Sequence, residues 1–150
     1  MIRYKNIEHE RVEDAPFMGA LINSIDCHIN CKDCFNQHLK TYPTIIKEAQ
    51  DIINEVKSNL FNQGIIFGGL EWSEQPEEML ELITVALRNN LKVMIYSGLN
   101  YSTFINKFPM LNTLDIVLKC GCFKSELATE NNIQYGIKLA TSNQQIKHIK

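Results

Sequence analysis

Short apolar runs alternate with helical repeats along most of this chain. Ala20, Leu21, Ile22 and Ile25 predict a first strand, and a cysteine-bearing loop follows at once. Pro43 can open a helix, and Ile45, Ile46, Ala49, Ile52, Ile53, Val56 and Leu60 recur at three- and four-residue steps on one apolar face. Gly64 suits the end of that helix. Ile65, Ile66 and Phe67 form a β-branched and aromatic run closed by Gly68 and Gly69. Pro76, Glu77 and Glu78 read as the first turn of a second helix, where acids meet the positive end of the helix dipole. Met79, Leu80, Ile83, Ala86 and Leu87 supply its core face. Leu91, Val93, Met94, Ile95 and Tyr96 predict a third strand, ended by Ser97 and Gly98. A short third helix is expected over Tyr101 to Lys107. Leu114, Ile116, Val117 and Leu118 predict a fourth strand, ended by Cys120 and Gly121. In the polar tail, Ile133 to Leu139 reads as one more strand.

Strand–helix alternation predicts an α/β fold with a mostly parallel sheet. The 150 residues suit one domain with one core, comprising an N-terminal extension over 1–19 and a core over 20–146. They are too few for a closed eight-unit barrel, which typically needs ~250, so a partial, open (β/α) barrel is expected. In such folds the loops after the strands share one rim, where ligands bind. The cysteine loop, Gly68-Gly69, Ser97-Gly98 and Cys120-Gly121 each follow a predicted strand, so they are expected to converge.

Composition adds exclusions. Fifteen basic residues against seventeen acidic ones leave a net charge of -2, which argues against a nucleic-acid partner. Met1 to Pro16 are too charged to contain the apolar stretch of a signal peptide, and no apolar run approaches the ~20 residues of a membrane helix. The expectation is a cytoplasmic protein with no membrane partner. Five cysteines cannot all pair with one another, and clustered cysteines in a reducing compartment are commonly metal ligands or catalytic groups.

Cys27, Cys31 and Cys34 are spaced Cys-x3-Cys-x2-Cys. Thiolates suit iron–sulfur clusters, and a compact loop can wrap a 4Fe-4S cubane with three of them. Three protein ligands leave one iron open to a substrate, much as catalytic zinc sites keep an open position. The alternative is a zinc-binding interaction module, with His28 or the better placed His38 as fourth ligand. Cys120 and Cys122 admit three readings: an incidental strand edge, which is favoured because free cysteine behaves as a small hydrophobe, a redox pair, or ligands completed by a partner.

The segment Cys27-His-Ile-Asn-Cys31-Lys-Asp-Cys34-Phe35-Asn36 resembles the signature loop of the radical S-adenosylmethionine superfamily. Most members carry an aromatic residue directly before the third cysteine; here Asp33 stands there and Phe35 follows. The resemblance implies that Cys27, Cys31 and Cys34 hold a 4Fe-4S cluster whose open iron chelates S-adenosyl-L-methionine. It also implies that Asp33 offers backbone contacts near the adenine and that Phe35 packs beside it. Phe67-Gly68-Gly69-Leu70-Glu71-Trp72 is similar to the superfamily's Gly-Gly-Glu element, with Leu70 in place of a second glycine and Trp72 in place of a proline. This implies that Gly68 and Gly69 admit the ligand's amino group and that Glu71 accepts from it. Trp72 is expected to pack or to touch a partner. The glutamates at 71, 74, 77, 78 and 81 are expected mostly to form a solvated face.

Tyr96-Ser97-Gly98 is similar to the Tyr-Thr-Gly of anaerobic ribonucleotide reductase activases, and Thr141-Ser142-Asn143-Gln144 resembles the Ser-Asn-Gln near their C-terminus. At that level Ser97 is expected to bond the ribose or the methionyl carboxylate. The resemblance implies an enzyme that cleaves S-adenosylmethionine reductively and installs a glycyl radical on a large partner, the anaerobic reductase. A flavodoxin or ferredoxin would donate the electron. An activase of another glycyl-radical enzyme is the nearest rival.

Overall fold

The computed structural model describes residues 1–29, 31, 34 and 36–149. The chain opens with strands β1 (Ile2–Tyr4), β2 (Ile7–Arg11) and β3 (Gly19–Asn23). The cysteine loop follows, then β4 (Ile45–Lys47), helix α1 (Ala49–Ser58) and β5 (Gly64–Gly68). Next come α2 (Pro76–Arg88), β6 (Lys92–Ser97), α3 (Tyr101–Lys107) and β7 (Ile116–Cys120). A two-residue-per-strand hairpin of β8 (Ile133–Gln134) and β9 (Ile137–Lys138) precedes the last strand, β10 (Gln145–Ile149).

Six strands form one mixed sheet in the order β10-β7-β6-β5-β3-β2. The inner pairings β3·β5, β5·β6 and β6·β7 are parallel, and both outer pairings, β2·β3 and β7·β10, are antiparallel. The central strands are apolar on both sides because both of their faces are covered. Ile22, Ile65, Phe67, Val93, Ile95, Ile116 and Leu118 meet the buried sides of the three helices in the larger core cluster. Ile66, Met94 and Ile146 face the other way, against Ala15, Phe17, Ile137 and Leu139.

The four central strands and α3 lie where the apolar runs predict them. The predicted helix from Pro43 is shorter. Ile45 and Ile46 instead belong to β4, which pairs antiparallel with β1, and Ile46 is 56% exposed. β-branched residues beside a free backbone edge gain more from pairing than from an extra helical turn. The helix ends at Ser58, Leu60 is 93% exposed beyond it, and Gly64 starts β5 rather than ending α1. Ile25 lies past the end of β3. The tail strand expected over 133–139 is the β8–β9 hairpin, turned by Tyr135 and Gly136, both at positive φ. The first nineteen residues contribute two strands, and Ile2 and Tyr4 are fully buried in the larger core.

Candidate functional site

The loops after β3, β5, β6 and β7 meet at one end of the sheet around a cavity of about 540 Å³. Cys27, Cys31, Cys34, Gly69, Glu71 and Ser97 all line it together with Gly121, so groups from four separate strand ends converge. Gly68 does not line it. It is the last residue of β5, its carbonyl accepts from the Ser24 amide at 3.1 Å, and it thereby anchors the start of the cysteine loop. Asp33 and Phe35 lie outside the described residues.

Backbone and side-chain hydrogen bonds set the loop. The Asp26 carboxylate accepts from the Cys27 amide at 2.8 Å, which holds that acid below the usual carboxylate range, and the Asp26 carbonyl accepts from the Glu71 amide at 3.0 Å. The Cys34 amide donates to the Cys31 carbonyl at 3.3 Å. Asn36 Nδ2 donates to the Gly69 carbonyl at 2.7 Å, tying the far side of the loop to the glycine turn. Gly69 has φ +83, and a Cβ there would stand 2.3 Å from Asn23 Oδ1, so this turn requires glycine. Burial pushes the Cys27 thiol up from its ordinary value, reinforced by the nearby Glu71 and Glu74 carboxylates. His28 does not line the cavity; its amide and ring are both bonded to Glu74 and its side chain is largely exposed.

Glu71 is 2% exposed, not part of a solvated face. Its Oε2 accepts from Ser97 Oγ at 2.9 Å and the Ser73 amide at 3.2 Å, and its Oε1 accepts from the Gly98 amide at 2.7 Å. A buried carboxylate is tolerated when several donors satisfy it. Glu71 and Ser97 therefore act as one unit that locks the β5 turn to the end of β6. Glu78 is also engaged, in a paired contact with Arg3. Trp72 is a packing residue: it is fully buried, its indole nitrogen donates to the Ile22 carbonyl at 3.0 Å, and its ring meets Phe67 edge-on.

The two later cysteines separate in role. Cys120 is buried in the larger core, as a small hydrophobe would be. Cys122 is not an incidental strand edge: it is disulfide-bonded to Cys31 across 91 residues, with a Cα–Cα distance of 6.2 Å. Cys27 and Cys34 are free and partly exposed to the cavity. With Cys31 paired in this way, no three His, Cys, Asp or Glu among the described residues form a group able to hold a metal ion. The donor set nonetheless suits an iron–sulfur cluster once that bond is reduced, because three thiols from one short loop then face one cavity.

Among the lining residues, Lys119 had no role assigned from the sequence, and its ammonium lies 4.9 Å from the centre of the ring of Tyr96, which also lines the cavity. Burial lowers that ammonium to about 8, against the raising effect of nearby acidic groups and thiols. Strand alternation was the available signal: Ile116, Leu118 and Cys120 point to the helices, which turns Val117 and Lys119 toward the cavity side. The Thr141–Gln144 segment also reaches the site, with Asn143 Nδ2 donating to the Cys122 carbonyl at 2.8 Å and Gln144 lining the cavity.

An α/β domain with a cysteine-lined cavity at its strand ends defines a protein built to hold a thiolate-ligated group. Residues 20–147 match the family described as a 4Fe-4S single cluster domain, and the chain belongs to that family. No curated protein and no solved structure matches it. Iron–sulfur binding is thus its coarse function. Among the described residues no helix is long and apolar enough to cross a membrane.

Proposed function

We propose that this protein is a radical S-adenosylmethionine activase, with its sheet serving as the open barrel of that superfamily and Cys27, Cys31 and Cys34 as the cluster ligands. The observation that carries the reading is the convergence of those three cysteines with Gly69, Glu71 and Ser97 on one cavity. When bound, the 4Fe-4S cluster and S-adenosylmethionine supply reductive sulfonium cleavage and hydrogen abstraction from a glycine of a large partner, the anaerobic ribonucleotide reductase.

The chain's own residues bind and orient. The thiolates of Cys27, Cys31 and Cys34 would hold the cluster, and three protein ligands would leave one iron open to the methionyl group. Gly69 lets backbone approach the ligand closely, with Asp33 and Phe35 assigned to the adenine side. The Glu71 carboxylate already accepts three hydrogen bonds, so its part is to hold Ser97 and the Gly98 amide in place, with lone-pair capacity left for an ammonium. Gly68 fixes the turn from behind. A flavodoxin or ferredoxin would be the electron donor, in the cytoplasm. An open barrel would admit a glycine-bearing loop of a protein partner.

Anaerobic incubation of the iron-loaded protein with S-adenosylmethionine, a reductant and the reductase should produce a glycyl-radical signal by electron paramagnetic resonance. Cys31→Ala should abolish 5′-deoxyadenosine formation; undiminished formation would refute the assignment.

A further inference from the structure

We propose that Cys31 and Cys122 form a thiol–disulfide redox site laid across the cluster ligand set, so that the cluster-free chain stores Cys31 as a disulfide. The inference rests on the reading of Cys31 as a ligand, and it begins from a juxtaposition that reading does not need. The two residues lie 91 positions apart, yet their Cα atoms stand 6.2 Å from each other, within the span of an ordinary disulfide.

Cys122 reaches this place through a rigid mount. Gly121, at φ +113, turns the chain off the end of β7, and its amide donates to the Leu99 carbonyl at 3.0 Å. Gln144 Nε2 donates to the Gly121 carbonyl at 3.4 Å, and Asn143 Nδ2 donates to the Cys122 carbonyl at 2.8 Å. The thiol is therefore held from β6's following loop on one side and from the Ser-Asn-Gln segment on the other. Both partner cysteines are only partly buried, so a small reagent can reach them. Cys27 and Cys34 remain free, and Cys120 is enclosed in the core, which leaves Cys122 as the thiol matched to Cys31.

A sulfur in a disulfide is neutral and already bonded to a second sulfur, so it is no thiolate ligand. Pairing thus subtracts one of three ligands. The reactant class is a low-molecular-weight disulfide such as oxidised glutathione. One cysteine thiolate attacks it and releases a first small thiol, and the second cysteine then displaces the other small thiol from the mixed disulfide. The two cysteines lose two electrons to the small disulfide, and their two protons end on the two small thiols released. A dithiol reductant reverses the step and returns Cys31. While paired, Cys31 is also shielded from sulfinic and sulfonic oxidation, which is irreversible for an ordinary cysteine.

The test uses the full chain, prepared free of iron and fully reduced. Samples are treated anaerobically with oxidised glutathione, alkylated and peptide-mapped by mass spectrometry. In a parallel portion that is not alkylated, iron uptake in the presence of iron and sulfide is read by absorbance and iron content. The expected product is a Cys31–Cys122 crosslink, with Cys27 and Cys34 alkylated and iron uptake reduced roughly tenfold until dithiothreitol restores it. Cys122→Ser should load iron like the wild type when reduced and should lose less than about half of its uptake after the same treatment. A Cys122 that stays alkylatable, or a crosslink to Cys27 or Cys34, overturns the proposal. So does a Cys122→Ser protein with low iron when reduced, since Cys122 would then be a ligand. The cluster reading fails separately, if the reduced wild type takes up no iron although the crosslink maps as expected.

Discussion

Lys119 shows how burying one charged side chain costs stability. Its ammonium stands deep among cavity residues while the side chain keeps some access to water, and burial draws it down to about 8 from 10.5. The unfolded chain therefore binds the proton more tightly than the folded one. The penalty is fully present below pH 8 and is relieved as pH rises from there toward 10.5. Lys119→Met should stabilise the cluster-free protein at pH 7 by about 1 kcal/mol, solvent access trimming what a sealed ammonium would cost. The gain should shrink by pH 10, and thermal melts at the two pH values measure it. Glu71 is the opposite case. Glu71→Ala strands the Ser97 hydroxyl and the Gly98 and Ser73 amides, so it should cost about 2–3 kcal/mol in urea unfolding.

At the scale of elements, what was legible in the sequence follows burial. β5 and β6 are covered on both faces, so Ile65-Ile66-Phe67 and Val93-Met94-Ile95 are unbroken apolar runs that reveal themselves. The strands β1, β2 and β10 carry Arg3, Glu8, His9, Glu10, Lys147 and His148 among few buried positions. Their state is decided by a neighbouring backbone edge, which composition does not report. The cysteine triad was legible because residues of one loop are close in sequence. The Cys31–Cys122 contact was not, because it needs the loop after β3 to reach past the ends of β5 and β6 to the end of β7. The glycine turn after β5 should be the least forgiving connection. Gly69→Ala forces a Cβ into Asn23 and a left-handed residue without glycine, so it should destabilise by more than about 1 kcal/mol in chemical denaturation.

For the molecule as a whole, the charged opening segment is structural. Ile2 and Tyr4 sit in the larger core, Arg3 holds Glu78 on α2, and the Lys5 ammonium donates to the Tyr42 carbonyl at 2.7 Å beyond the cysteine loop. Deleting residues 1–6 should lower the unfolding midpoint and also loosen the loop, read as faster amide exchange at Leu39 and Tyr42.

The main sheet is laid down in strict chain order, from β2 through β3, β5, β6 and β7 to β10. During synthesis each new strand of that sheet can join an edge that already exists, and none has to be threaded between two others. The half-made polypeptide thus always presents one growing border to the next segment leaving the ribosome, and the last strand to arrive seals the border that carries Cys122.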